Sequence, residues 1–223
     1  MPLVLLVLLT GLLLPLSCLA AGGHHAVDDA VIAVPGQCNL ELWAERSNLD
    51  RRQRQHAGLG CYVLGVEAEI NADRETAQPV PNLHAHAVQL KWATDLRPRL
   101  AIGLVGALSW QDQAPRSQRS LLVPLSWTPR DDLALHLNLG RAFVRGGEDR
   151  TQRGIAVEWQ MVAGWQLLVE HFHDGLRPMS RLGLRHDVNE RLSLDLSFAR
   201  ASATGRGPKE GWWTAGVNWT LGQ

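Results

Sequence analysis

The chain has 223 residues, with 22 basic and 22 acidic side chains and a formal net charge of zero, so charge makes no case for nucleic acid or an anionic surface as partner. Only Lys91 and Lys209 are lysines, an odd scarcity for a domain that spreads charge over a water-facing surface. The length allows one large domain or two small ones.

Residues 3–16, "LVLLVLLTGLLLPL", form an uncharged apolar run too short to span a bilayer, and small residues follow it. This reads as a secretory signal peptide over residues 1–21, cleaved on export. Pro15 stands where a lipoprotein signal wants an aliphatic residue, which argues against lipidation of Cys18. Cleavage after Ala21 would leave Gly22-Gly23-His24 at the amino terminus, a copper or nickel chelate, and cleavage after Ala20 would spoil it. Residues 22–36 are expected as a periplasmic N-terminal segment, and 37–223 as the folded domain. No further segment is apolar enough for a transmembrane helix, so any membrane span must be built from strands.

From residue 37 onward the hydrophobic period is two. Alternating segments recur from "CNLELWAERS" through "DLALHLNLGRAFV" to "GWWTAGVNWTLG", with the division between second and third strands falling at Cys61 to Leu64. Short links carrying turn residues (95–98, 128–132, 163–164, 187–190) alternate with longer polar ones (73–82, 111–119, 145–152, 201–211). That alternation predicts an all-β, transmembrane, antiparallel up-and-down β-barrel of about twelve strands, with ten as the alternative, short periplasmic turns and longer extracellular loops.

Tryptophan placement orients the strands. Trp92, Trp127, Trp159, Trp165 and Trp219 lie toward the short-turn ends, and Trp110 and Trp213 toward the long-loop ends. All seven are in phase with the leucine-rich face; Trp43 and Trp212 are not. Indoles at both strand ends are the interfacial girdles of an outer-membrane barrel, so Leu133, Leu135, Leu137 and Leu139 are expected to face lipid and His136 and Asn138 the lumen.

The segment "HHAVDDAVIAVPGQCNLELWAERS" resembles the start of bacterial outer-membrane barrels of the MetA-type (phenol-degradation pathway) transporter group, through His25, Asp28, Asp29, Gly36, Leu40 and Glu41. The resemblance implies a Gram-negative outer-membrane location and solute passage. Cys38 and Cys61 share one face of the first hairpin and lie opposite each other about a turn centred between Leu49 and Asp50. In an oxidising compartment this predicts a disulfide near the periplasmic end.

The predicted inner face carries Glu41, Glu45, Glu67, Glu69, Glu158, Glu170 and Asp195, with Lys91, Arg181 and Arg185 as counterparts and His136, Asn138 and Asn218 nearby. Such a lining either filters small-molecule solutes by sign and size or pairs across the lumen and plugs it. Membrane lipid and a small solute are the expected partners; the oligomeric state is left open. Catalysis is the weaker alternative: His136 with Ser126 or Asp195 could support a hydrolase, but no Gly-x-Ser-x-Gly elbow exists. The pairs His84/His86 and His171/His173 offer imidazoles in incomplete sets, and neither a metal nor a cofactor is assigned.

Overall fold

A computed structural model describes residues 24–48, 52–77, 80–112, 114–173, 175–202 and 210–222, so the expected signal peptide lies outside the described residues. The strands are β1 (Gln37–Ser47), β2 (Gln53–Val63), β3 (Val66–Ala77), β4 (Val80–Arg97), β5 (Leu100–Gln111) and β6 (Ala114–Arg130). They continue as β7 (Leu133–Val144), β8 (Arg150–Val162), β9 (Trp165–His173), β10 (Pro178–Asn189), β11 (Leu192–Ala201) and β12 (Gly211–Gly222). Each pairs antiparallel with its sequence neighbours, and β1 pairs with β12 from Gln37↔Gly222 to Ser47↔Trp212. The transmembrane barrel is closed with twelve strands, not ten. Closure leaves no strand edge unpaired, which the bilayer interior demands.

The outer face is apolar because each strand alternates. Along β7, Leu137 and Leu139 are 40% and 57% exposed while Asn138 between them is 2% exposed. The same phase exposes Ile70, Leu90, Leu104, Leu121, Ile155, Leu182 and Leu196 on the outer surface. The seven in-phase tryptophans are exposed there too. Trp43 and Trp212 turn into the lumen.

The turn between β2 and β3 falls at Leu64-Gly65, with φ of 51° and 93°, the left-handed pair of a two-residue hairpin. Two links expected as long polar loops are mostly strand: β3 continues to Ala77, β4 starts at Val80, and β6 starts at Ala114. Beyond the apolar belt both faces meet water, so side-chain polarity no longer reports backbone pairing. Cys38 and Cys61 are register partners in the first hairpin and form a disulfide, at the end nearest the short turns.

Residues 24–36 depart from expectation. The segment does not hang outside the barrel; it runs inside the lumen from His24 near mid-height to Pro35 at the short-turn end. There Gly36 (φ 84°) and a hydrogen bond from Gln37 N–H to Val34 C=O (3.0 Å) turn the chain into β1. Val27 and Ala30 find cover inside, 1% and 3% exposed, while Val31 and Val34 stay about half exposed. The inward charges of the strands supply the partners that its backbone lacks.

Candidate functional site

The site is the lumen, and the N-terminal segment divides it. On one side the strands grip the segment with side chains that accept from its backbone. Glu170 Oε2 (β9) accepts from Val27 N–H at 3.0 Å, Ser126 Oγ (β6) from Ala30 N–H at 2.8 Å, and Glu67 Oε2 (β3) from Ala33 N–H at 2.6 Å. The Asn138 amide, in its hydrogen-bonding orientation, donates to Asp28 C=O at 2.8 Å and accepts from Asp28 N–H at 2.6 Å. Arg181 donates to His24 C=O, and His24 Nε2 meets Ser197 Oγ at 2.6 Å. Lys91 Nζ donates to Asp28 Oδ1 and to Asp29 Oδ1, each at 2.7 Å. A segment without regular structure can be buried only if its backbone groups are paired, and these contacts do that.

Small residues make the room. A Cβ on Gly154 would lie 2.6 Å from Val27 Cγ2, whereas those on Gly183 and Gly216 would meet His25 Cε1 and His24 Nδ1 at ordinary contact, 3.4 and 3.6 Å. Burial, with the charges of His25 and Arg181 adding to it, lowers the His24 imidazole to about 2, so it docks neutral.

All twelve lumen candidates face inward, in two groups. His136, Asn138, Glu158, Glu170 and Asp195 lie buried against the docked segment or beneath it. Arg185 makes a two-nitrogen fork onto Asp195 at 2.7 and 3.0 Å, and Arg181 joins Glu170 at 2.9 Å and Glu45 at 3.4 Å. Glu41, Glu45, Glu67, Glu69, Lys91, Arg181 and Arg185 line an open cavity of about 780 Å³ beside the segment. This cavity touches the inward residues of β1 from Gln37 and Asn39 through Glu41 and Trp43 to Glu45, while Ser47 at the far end of the strand is buried against Glu210. It reaches Asn189, Arg191 and Ser193 at the short-turn end, and Arg52, Arg177 and Trp212 at the other.

Two arrangements go beyond the sequence reading, which paired His136 with Ser126 or Asp195 and did not bring Glu158 to them. One is the series Ser126, His136 and Glu158: Ser126 Oγ lies 2.8 Å from His136 Nδ1, and His136 Nε2 lies 3.6 Å from Glu158 Oε1. It has the composition of a hydrolytic triad, but Ser126 Oγ is capped by Ala30 N–H and the residue is 6% exposed. With the segment docked, no substrate carbonyl can reach that oxygen. The other is a convergence of Glu41, His56 and Glu69 on the β1–β3 wall. The histidine pairs expected near the long loops bond elsewhere: His171 with Ser180, His86 with Asp112, and His173 with the Gly175 N–H.

Among solved structures, the barrel is similar to the KdgM porin in complex with disordered oligogalacturonate (TM-score 0.67, 10% identity, covering 82% of this chain and 99% of that one). It is similar to the COG4313 outer membrane channel from Pseudomonas putida F1 (TM-score 0.67, 10% identity, 90% and 100% covered). It is also similar to the outer membrane phospholipase A from Escherichia coli (TM-score 0.53, 10% identity, 82% and 95% covered). At such identities the likeness is one of fold, and that fold houses channels and an enzyme alike. No curated protein sequence matches the chain. The family profile described as "Uncharacterised conserved protein UCP029691" matches residues 9–221, and the chain belongs to that family.

Proposed function

We propose that this protein is an outer-membrane channel for small polar solutes, whose path runs along the inner wall of β1–β4 beside the docked N-terminal segment. The observation that carries the reading is the cavity along the inner face of β1 from Gln37 to Glu45, lined by residues from both ends of the barrel. A barrel sealed by its plug would interrupt that lining. The apolar exterior with exposed indoles at both strand ends supports the membrane setting. The resemblance of residues 25–41 to MetA-type transporter barrels supports solute passage.

The path favours cations. Most cationic groups that line the cavity are engaged by carboxylates: Lys91 by Asp28 and Asp29, Arg181 by Glu170 and Glu45, Arg185 by Asp195, Arg54 by Asp73, and Arg52 and Arg177 by Glu210. Two carboxylates on the β3 wall take hydrogen bonds from neutral donors instead, Glu67 from Ala33 N–H and Glu69 from Gln89 Nε2 at 2.9 Å. A ring segment of carboxylates in a narrow pore attracts cations and repels anions.

Reconstitution in planar lipid bilayers tests this. Discrete conductance steps are expected, with a reversal potential in a KCl gradient that reports cation preference and moves toward zero in Glu67→Gln. Absence of any conductance would remove the channel reading and leave a plugged interaction barrel.

A further inference from the structure

On the wall of β1–β3, the inward position of β2 opposite Glu41 and Asn71 is Gly58, with register pairs Glu41↔Gly58 and Gly58↔Asn71. Having no side chain, it leaves a hollow into which its neighbours lean. A Cβ there would lie 2.5 Å from Asn71 Oδ1, 3.0 Å from His56 Nε2 and 3.2 Å from Glu69 Oε1. The ligand atoms of Glu41, His56 and Glu69 all lie within 4.8 Å of one another. Asn71 Oδ1 is a buried acceptor with no hydrogen-bond partner, so the hollow contains a lone pair that nothing in the fold uses.

The imidazole is set for coordination. His56 Nδ1 lies 2.9 Å from Asp73 Oδ1, and Arg54 pairs with the same carboxylate at 3.1 Å. An ionised carboxylate only accepts, so Nδ1 carries the proton and donates it to Asp73, leaving the Nε2 lone pair aimed over Gly58. Carboxylate-oriented imidazoles of this kind are the usual outer support of metal-binding histidines. Trp43 stacks on the ring at 4.5 Å and 8° and holds its plane.

We infer that Glu41, His56, Glu69 and Asn71 form a binding site for one divalent transition-metal ion of the Zn²⁺ type on the lumen wall over Gly58. One imidazole nitrogen, two carboxylates and an amide oxygen suit such an ion, whose bonds to N and O are about 2.0–2.2 Å. The flexible ends of Glu41 and Glu69 can close that distance. All four residues line the cavity, so the ion enters from the path itself. The other candidate group, His24, His25 and Asp195, is worse for a cation, because Asp195 already accepts from Arg185 and from Asn218 at 2.5 Å.

The test uses full-length, untagged protein in detergent, stripped with EDTA and titrated calorimetrically with Zn²⁺. Because binding is read at equilibrium without any conductance, the result is separate from that for solute passage. One equivalent is expected. His56→Ala and the near-isosteric Glu69→Gln should each weaken affinity at least tenfold. Gly58→Ala should do the same without replacing any ligand residue, since its methyl fills the hollow and displaces Asn71 Oδ1. Asp73→Asn, which touches no ion, should weaken it about 10–100-fold by misorienting the imidazole. No Zn²⁺ uptake would overturn the assignment, as would uptake unchanged in His56→Ala and Glu69→Gln, which would place the ion at His24 and His25.

Discussion

Lys91→Met tests whether the N-terminal segment is held in the lumen by charge. Lys91 Nζ sits 2.7 Å from both Asp28 and Asp29, and the side chains of Lys91 and Asp29 are 8% and 2% exposed. Methionine keeps the volume and removes the cation, which leaves two carboxylates of the segment inside the barrel without their partner. Breaking a buried ion pair from one side costs about 3–5 kcal/mol. The interstrand ladders stay intact, so the cost falls on docking and shifts the docked-to-released ratio by about two to four powers of ten. Two readouts follow the release. Endoproteinase Asp-N should cut before Asp28 in the folded, detergent-solubilised variant and leave the Val27–Asp28 bond of the parent protein intact; single-channel conductance should rise as the lumen widens. Adding Asp28→Asn and Asp29→Asn also removes the Asp-N site, so the rescue is read by conductance, which should return to the parent level because the orphaned charges are gone. Unchanged protection and unchanged conductance in Lys91→Met would refute the reasoning and assign the grip to the backbone contacts alone.

Other outcomes follow from the same geometry. Gly154→Ala places a methyl 2.6 Å from Val27 Cγ2, so it should expose the segment to Asp-N without altering any charge. His24 is docked neutral at about 2 but titrates at 6.5 when released, so the released form binds the extra proton and docking weakens as pH falls below 6.5. By pH 5 the loss is about 2 kcal/mol, and conductance should rise on acidification. The groups facing His24 are His25, Arg181, Glu170, Asp195 and Ser197, and His24→Gln, which does not titrate, should flatten the response. Non-reducing peptide mapping should recover Cys38 and Cys61 in one linked peptide pair, and two free thiols would contradict the pairing. Ser126→Ala should leave any lipid or peptide hydrolysis unchanged, because that hydroxyl is occupied by Ala30 N–H.

The barrel was legible because each of its signals is local or periodic. Leu133 to Leu139 alternate with small and polar residues, the tryptophans cluster at strand ends, and Cys38 meets Cys61 by simple hairpin symmetry. Several ion pairs were legible for the same reason: Arg185↔Asp195 and Arg181↔Glu170 are register neighbours on adjacent strands. The docked segment was not. "HHAVDDAVIAVPG" has no period, and its partners lie 34 to 173 residues away, from Glu67 for Ala33 to Ser197 for His24. Lys91 shows the limit well, since its register neighbour is Glu67 yet its ammonium goes to Asp28 and Asp29. The face of Cys61 sets His56 inward with Glu69, but a division placed only within Cys61 to Leu64 does not fix the β2–β3 register, and so the height of His56 beside Glu69 at the hollow over Gly58 was not legible. Its available trace was Gly58 and Gly60 on alternate inward positions beside two glutamates.

The segment also has a mechanical consequence. A closed sheet is a hoop, and a hoop can flatten into an ellipse with little disturbance of its hydrogen bonds. Residues 24–33 are tied to β3 and β4 through Glu67 and Lys91, and to β9, β10 and β11 through Glu170, Arg181 and Ser197. In a ring of twelve strands those two sets stand on opposite sides, so the segment is a brace across the diameter. Lateral pressure from the surrounding lipid then meets a strut, and the gap beside β1 keeps one width whatever the tension of the membrane.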